Sequence, residues 1–327
     1  MACEGIFFLG QHPMTPNTTI MNKLKTDPTV KGFGWVSLSF ICGTFFFIVS
    51  KTLLNSMKPA DFFTWWYGLG LTMHLLYGLR SESIKLEDID RTYLHYFGIY
   101  ILLDITGTAV FFTAVKMMDP SIASFLNQSQ IIMTLLLGFL FLKEALVIGE
   151  VLATLVIISG IVIMSFKSPS VPLLGALGIM YSNLCGASNF VIVRKIGGKM
   201  GTLTFIRIRT TFMFVIFLGF NLATTRHVEI PDAPTLTLLF LGAFFGPFLN
   251  VIALFKSLEY IPAGKLALFR SLQPIFVLIA SWAILKTVPG YRESAGGFII
   301  IFGCVLLAYL HAQHVLGIKR PLRAVRR

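Results

Sequence analysis

Arg270 and Gln273 lie three residues apart in "LALFRSLQPIF" (266–276), inside a run that is otherwise apolar. Three residues is close to one helical turn, so both side chains share a face. A guanidinium and a carboxamide on one face can hold a carboxylate: the first supplies charge and a fork of donors, the second fixes orientation. The stretch "FLNQSQII" (125–132) offers Asn127 and Gln130 at the same spacing. Asp104, in "YILLDITGTAVFF" (100–112), is the acid nearest the middle of an apolar run. Three roles are open to it: counter-ion for Arg270, proton carrier, or hydrogen-bond partner of a neighbouring helix. A charge at such depth costs on the order of 3 kcal/mol on insertion scales. Arg270 therefore faces a cavity or a partner, or else it snorkels along its stem to the cytoplasmic surface.

Further polar groups sit in apolar runs. Asn183, Asn189 and Asn250 read either as cavity-lining groups or as hydrogen bonds between helices. Trp66, in Trp65-Trp66-Tyr67, reads first as part of an interfacial aromatic belt and second as a stacking wall of a pocket. Arg207 and Arg209 are two apart and so on different faces; the expectation is that at least one reaches lipid headgroups. His74 and His95 lack partners at metal-ligand spacing and are taken as structural. Cys3, Cys42, Cys185 and Cys304 form no C-x-x-C pair and read as small hydrophobes. Neither a metal nor a cofactor is expected. No Walker loop, HExxH, G-x-S-x-G or dinucleotide fingerprint occurs, so an enzyme is not expected, and any active transport would be secondary.

The elements that must carry these groups follow from composition. Of 327 residues, 55% are hydrophobic and 13% charged, and the mean hydropathy is +0.79. Soluble domains are about 45–50% apolar and about 25% charged. The net charge of +12 could suggest nucleic acid. The basic residues stand between apolar runs and at the C-terminus, however, and no RNA- or DNA-binding motif appears, so nucleic acid is not an expected partner. Lipid is. The N-terminal "GIFFLG" is short, follows Glu4 and precedes no cleavage signal, so no signal peptide is expected. Asn17-Thr18-Thr19 matches a glycosylation acceptor by chance if the N-terminus is cytoplasmic.

A bilayer core of about 30 Å needs about 20 apolar residues per helix. Ten segments qualify: roughly 33–54, 60–79, 93–115, 121–142, 146–166, 171–193, 201–223, 235–257, 264–285 and 291–314. Turn and charge clusters such as "NSMKPAD", "KSPSVP" and "TTRHVEIPDAP" separate them. Lys and Arg crowd into the loops on the side of the termini, including Lys319, Arg320, Arg323, Arg326 and Arg327. That bias puts both termini in the cytoplasm of a plasma membrane.

Slid against itself by 143 residues, the chain repeats without a gap. "SFICGTFFFIVSK" (39–51) falls on "SNLCGASNFVIVR" (182–194). Asn127 falls on Arg270, Gln130 on Gln273, Cys42 on Cys185, Gly43 on Gly186 and Gly160 on Gly303. Five spans is an odd number, so the second copy enters the membrane upside down. The expected fold is all-α and integral to the membrane: ten transmembrane helices in two inverted five-helix repeats. The expected division is a cytoplasmic tail over 1–31, repeats over 32–168 and 171–312, and a basic cytoplasmic tail over 313–327. In such folds the substrate sits near the midplane between repeats. Gly246-Pro247 and Pro274 are expected to break helices there.

The fourth and fifth segments of each copy, "MMDPSIASFLNQSQIIMTLLLGFLFLKEALVIGEVLATLVIISGIVIM" and "LEYIPAGKLALFRSLQPIFVLIASWAILKTVPGYRESAGGFIIIFGCVLL", resemble drug/metabolite transporters of the EamA type. The first copy has the usual "KEAL" turn, which the second replaces with "KTVPGYRE"; the first has Ile131 where the second has Pro274. The resemblance implies a basket in which four helices of each repeat surround a cavity, and export from a bacterial inner membrane. The expectation is a secondary transporter for a small polar metabolite, an amino acid or related organic anion. Arg270 would bind the anion, and Gln130, Gln273 and Asn127 would orient it. Asn183, Asn250 and Trp66 complete the candidate substrate site, and Asp104 is the candidate for coupling. Protons, a counter-substrate and a second copy of the chain in a homodimer are the further partners considered. The alternatives are a carrier of phosphorylated or nucleotide-linked sugars, for which Arg207 or Arg209 would add charge, and a scaffold that transports nothing.

Overall fold

A computed structural model describes residues 28–78, 94–142, 148–165, 171–196, 202–260 and 270–315. Both tails, the "KEAL" turn, Cys3 and the Asn17 acceptor lie outside these residues. The described chain is helical: α1 (Pro28–Ser56), α2 (Pro59–Gly78), α3 (Leu94–Met117), α4 (Pro120–Asn127), α5 (Ser129–Leu142), α6 (Ile148–Ser165), α7 (Leu173–Ile196), α8 (Thr202–Thr225), α9 (Ala233–Ala243), a wide π turn (Phe244–Asn250), α10 (Val251–Tyr260), α11 (Gln273–Ala280), a second π turn (Ser281–Leu285) and α12 (Tyr291–Val315). Among the described residues, seven helices are long and apolar enough to cross a membrane. Pro59–Gly78, rich in aromatic and polar residues, is outside that set, as is Tyr291–Val315, and Gln273–Leu285 counts as a shorter apolar helix. Seven of the ten expected spans thus meet the length and hydropathy of a membrane-crossing helix among the described residues. Leu152, Leu155, Ile158 and Val162 of α6 all point outward and are exposed. In water this would be an unusual apolar surface; against lipid tails it is the natural one. The chain is an integral membrane protein.

Packing between the halves is reciprocal. The first helix of each copy lies on the third of the other: α1 on α10, and α3 on α7. The second helices pair as α2 with α8, and the fifth as α6 with α12. The α6–α12 seam shows why glycine is needed. A Cβ on Gly160 would stand 2.8 Å from the Gly296 carbonyl oxygen, and one on Gly303 would press on Ile157 as one on Gly160 would press on Ile300. These contacts interchange under the repeat offset. With lipid as apolar as the side chains, such close backbone approach is what favours helix association.

Two breaks shape the middle. The stretch expected as one span, 121–142, is divided at Gln128 into α4 and α5. Asp119 caps α4 by accepting the Ser121 N–H at 2.8 Å, and Pro120 fills the first turn. No proline makes the break. Instead, the Asn183 amide donates to the freed carbonyls of Leu126 and Asn127, both at 3.3 Å, and to Ser129 Oγ at 2.8 Å. In the second copy Pro274 opens α11 rather than kinking it. Pro247 lies inside the first π turn, and Nε2 of His74 donates to its carbonyl at 3.0 Å. That bond gives His74 a structural role and fixes its tautomer.

Candidate functional site

The two breaks and the reciprocal packing leave space at the centre. One cavity of about 170 Å³ lies among Phe46, Trp66, Phe111, Phe112, Arg209 and Pro247. A second of about 110 Å³ lies among Asp104, Asn127, Gln130, Asn183 and Asn189. Thr108 and Ser182 line both, so the two adjoin. Together they come close to the lower end of the ~300–1,000 Å³ range of ligand pockets.

Between them stands an ion pair. Arg209 Nε donates to Asp104 Oδ2 at 2.6 Å and Nη2 to Oδ1 at 3.1 Å. The side chains remain 15% and 13% exposed, respectively. Arg209 lines the first cavity and Asp104 the second. Tyr67 and Tyr100 flank the guanidinium. A two-point, charge-assisted pair of this kind is strong and directional. With both side chains largely buried it would be costly to strand either half.

The arrangement corrects several expectations. The counter-ion of Asp104 is Arg209, not Arg270. The reason is tertiary: α3 packs near α8, and a helix-buried carboxylate takes the cation that geometry offers. Arg209 is therefore not a headgroup-facing residue, and Arg207 is buried with its guanidinium against Gly78. Arg270 lines neither cavity. Its carbonyl accepts the Gln128 amide at 3.3 Å, which ties the break in one copy to the break in the other. Gln273 also lines neither cavity and lies against Gly43 of α1. Gln130 makes the mirror contact with Gly186 of α7 and lines the second cavity. Asn127, Asn183 and Gln130 are thus brought together with Asp104. Asn250 and Trp66 lie in the first cavity, Asn250 accepting from Ser39 Oγ at 2.7 Å. Trp66 is 1% exposed and forms a cavity wall, which overturns the belt reading for it. Its neighbour Trp65 donates its indole N–H to the Glu229 carbonyl at 2.9 Å.

The sequence reading gave Arg209 only a secondary role, as added charge for a phosphorylated substrate, and not the central place it holds. The repeat offset contained the signal: it maps Trp66 on Arg209 and Asp104 on Pro247. One end of the bundle has its own polar network, away from the cavities. Asp61 accepts from Asn221 Nδ2 at 2.9 Å and from the Glu229 N–H at 3.1 Å. Lys58 pairs with Glu229 at 2.5 Å, and this bond raises the Lys58 pKa above its usual value. Cys42, Cys185 and Cys304 are free and buried. Among the described residues no group of three His, Cys, Asp or Glu could hold a metal.

Comparison with known proteins agrees with this architecture. The EamA-like transporter family matches the chain twice, over residues 30–166 and 173–309. The uncharacterized transporter YyaM of Bacillus subtilis (strain 168) is 22% identical over 267 residues, spanning 79% of this chain and 87% of that protein. A solved crystal structure is similar at a TM-score of 0.58 and 14% identity, over 88% of this chain and 98% of that one, which shows a shared fold. With two copies of one family pattern spanning nearly all of its helices, the chain belongs to the EamA-like transporter family.

Proposed function

We propose that the protein is a secondary active transporter that moves a small polar metabolite, an amino acid or related organic anion, by alternating access. The observation that carries this is the Arg209–Asp104 pair standing between two adjoining cavities at the interface of the repeats. Transport needs a site that holds the substrate well enough to load and loosely enough to release. A paired arginine meets that need, since the substrate must displace Asp104 and Asp104 can displace the substrate. Alternating access is supported by the reciprocal packing. Two copies that interchange under one offset can also interchange their conformations, so the same site opens first to one side and then to the other.

In this reading the ten helical stretches all span, the repeats are inverted, and both termini lie in the cytoplasm of the plasma membrane. The repeats run over 32–168 and 171–312. Export is the working direction on family resemblance alone. Arg209 takes the anion-binding role first assigned to Arg270, and Asn127, Gln130 and Asn183 orient the substrate from α4, α5 and α7. Asp104 couples binding to opening, with a proton or a counter-substrate as the driving partner.

The test is a thermal-shift screen of the purified protein against amino acids, organic acids, amines, sugar phosphates and nucleotide sugars, followed by counterflow in proteoliposomes. A ligand that binds only the folded state stabilises it by about 2.7 kcal/mol at 100 times its dissociation constant. A carboxylate hit that also undergoes counterflow supports the reading. Silence in both assays overturns it.

A further inference from the structure

The two cavities differ in chemistry, and the repeat offset shows how. Where the second copy places Arg209, the first places Trp66; where the first places Asp104, the second places Pro247. Trp66 packs its indole against Gly242 and Gly246, positions where a side chain would collide with it. With Phe46, Phe111 and Phe112 it makes one side of the centre apolar. The other side holds Asp104, Asn127, Gln130 and Asn183, together with Asn189, whose buried Oδ1 has no hydrogen-bond partner. An unpaired buried acceptor is costly and calls for a donor.

We infer that this site selects zwitterions with a large apolar side chain, that is, apolar α-amino acids, a conclusion that rests on the transporter reading above and narrows it. The argument is charge balance. The empty site holds one cation and one anion in contact, with no net charge. A simple organic anion on Arg209 would strand Asp104, and a simple amine on Asp104 would strand Arg209; a stranded charge in such a site weakens binding by about a hundredfold or more. A doubly charged sugar phosphate fares worse. A zwitterion exchanges partners without stranding either. Its carboxylate takes the Arg209 fork from the first cavity. Its ammonium, with three donors and no acceptor, takes Asp104 and the free Asn189 oxygen in the second. The side chain then lies along Trp66 and the phenylalanines, where each buried methylene tightens binding by about fourfold.

The experiment uses the full chain in detergent and four compounds on related skeletons: leucine, 4-methylpentanoate, 3-methylbutylamine and glycine. The expected result is that leucine binds, and that the acid, the amine and glycine each bind about a hundredfold more weakly or worse. Trp66→Ala should weaken leucine by tenfold or more and leave glycine unchanged. Asp104→Asn, nearly the same size, should weaken leucine yet tighten 4-methylpentanoate by at least tenfold, a reversal that loss of folding cannot produce. The inference is overturned if 4-methylpentanoate or glycine binds wild type as tightly as leucine, or if none of the four binds. Binding of the acid without preference for leucine leaves the transporter reading standing. Absence of binding across these four and the wider screen removes both.

Discussion

Breaking the Asp104–Arg209 pair one side at a time should cost far more than removing it whole. The two contacts, 2.6 and 3.1 Å, leave both side chains more than four-fifths buried. Arg209→Met strands a carboxylate between two cavities, and Asp104→Leu strands a guanidinium beside Tyr67 and Tyr100. Loss of one partner of a buried pair costs about 3–5 kcal/mol. The double variant strands neither charge, and replacing such pairs with apolar groups is often neutral or stabilising, so it should fall within about 1 kcal/mol of wild type. The coupling energy from the cycle should then exceed about 3 kcal/mol. The assay is equilibrium unfolding in mixed detergent and denaturant, followed by intrinsic tryptophan fluorescence, for wild type, both single variants and the double variant. Additive effects, with a coupling below about 0.5 kcal/mol, would refute the reasoning. They would mean that the two groups do not hold one another as a buried, directional pair.

Other consequences are simpler to state. Gly160→Leu should separate α6 from α12 and cost at least about 1–3 kcal/mol in the same unfolding assay, because its Cβ meets backbone rather than a movable side-chain end. Gly186→Leu should disrupt transport by pushing on the Gln130 amide, and Gln130→Ala in the same chain should restore part of the lost stability, since that side chain is what the new group meets. Asn221→Leu should destabilise by about 1–3 kcal/mol, because the buried Asp61 carboxylate loses its amide donor. Lys58 titrates above its ordinary value of 10.5 through its bond to Glu229, so whatever the pair contributes is present at pH 7 and fades as pH rises through the raised pKa. Being exposed, it should show only as a small difference between wild type and Lys58→Met that vanishes in 1 M salt, read by melting temperature.

Much of the fold was legible in the sequence because lipid makes the rules strict. An apolar stretch between turn signals has few alternatives to a helix, and seven of the expected spans coincide with helices long and apolar enough to cross a membrane among the described residues. The offset between the copies was legible too, and with it the matched positions Gly43 and Gly186, Gln130 and Gln273. What could not be read was which groups meet across helices. Asp104 and Arg209 are 105 residues apart, and the sequence offered Arg270 as the more conspicuous cation because Gln273 shares its face and the repeat offset pairs the two with Asn127 and Gln130. The break at Gln128 was hidden for a related reason. It is held by Asn183 on another helix, whereas the sequence advertises breaks only through proline and glycine. Trp66 stayed open between two readings because an aromatic two turns into a helix suits an interface and a cavity wall equally, and only the glycines of the π turn and of α9 decide between them.

The account stands or falls on whether the centre of the bundle is reached by water from both faces of the membrane. Thr108 and Ser182 line both cavities, so a single cysteine at either position, with Cys3, Cys42, Cys185 and Cys304 replaced, reports on the site directly. We predict that a membrane-impermeant thiol reagent labels Thr108→Cys when added from either side of sealed vesicles, and that a bound substrate slows labelling from both. A cysteine there that reacts from neither side, while the protein remains folded, would contradict alternating access and leave the centre a sealed structural core.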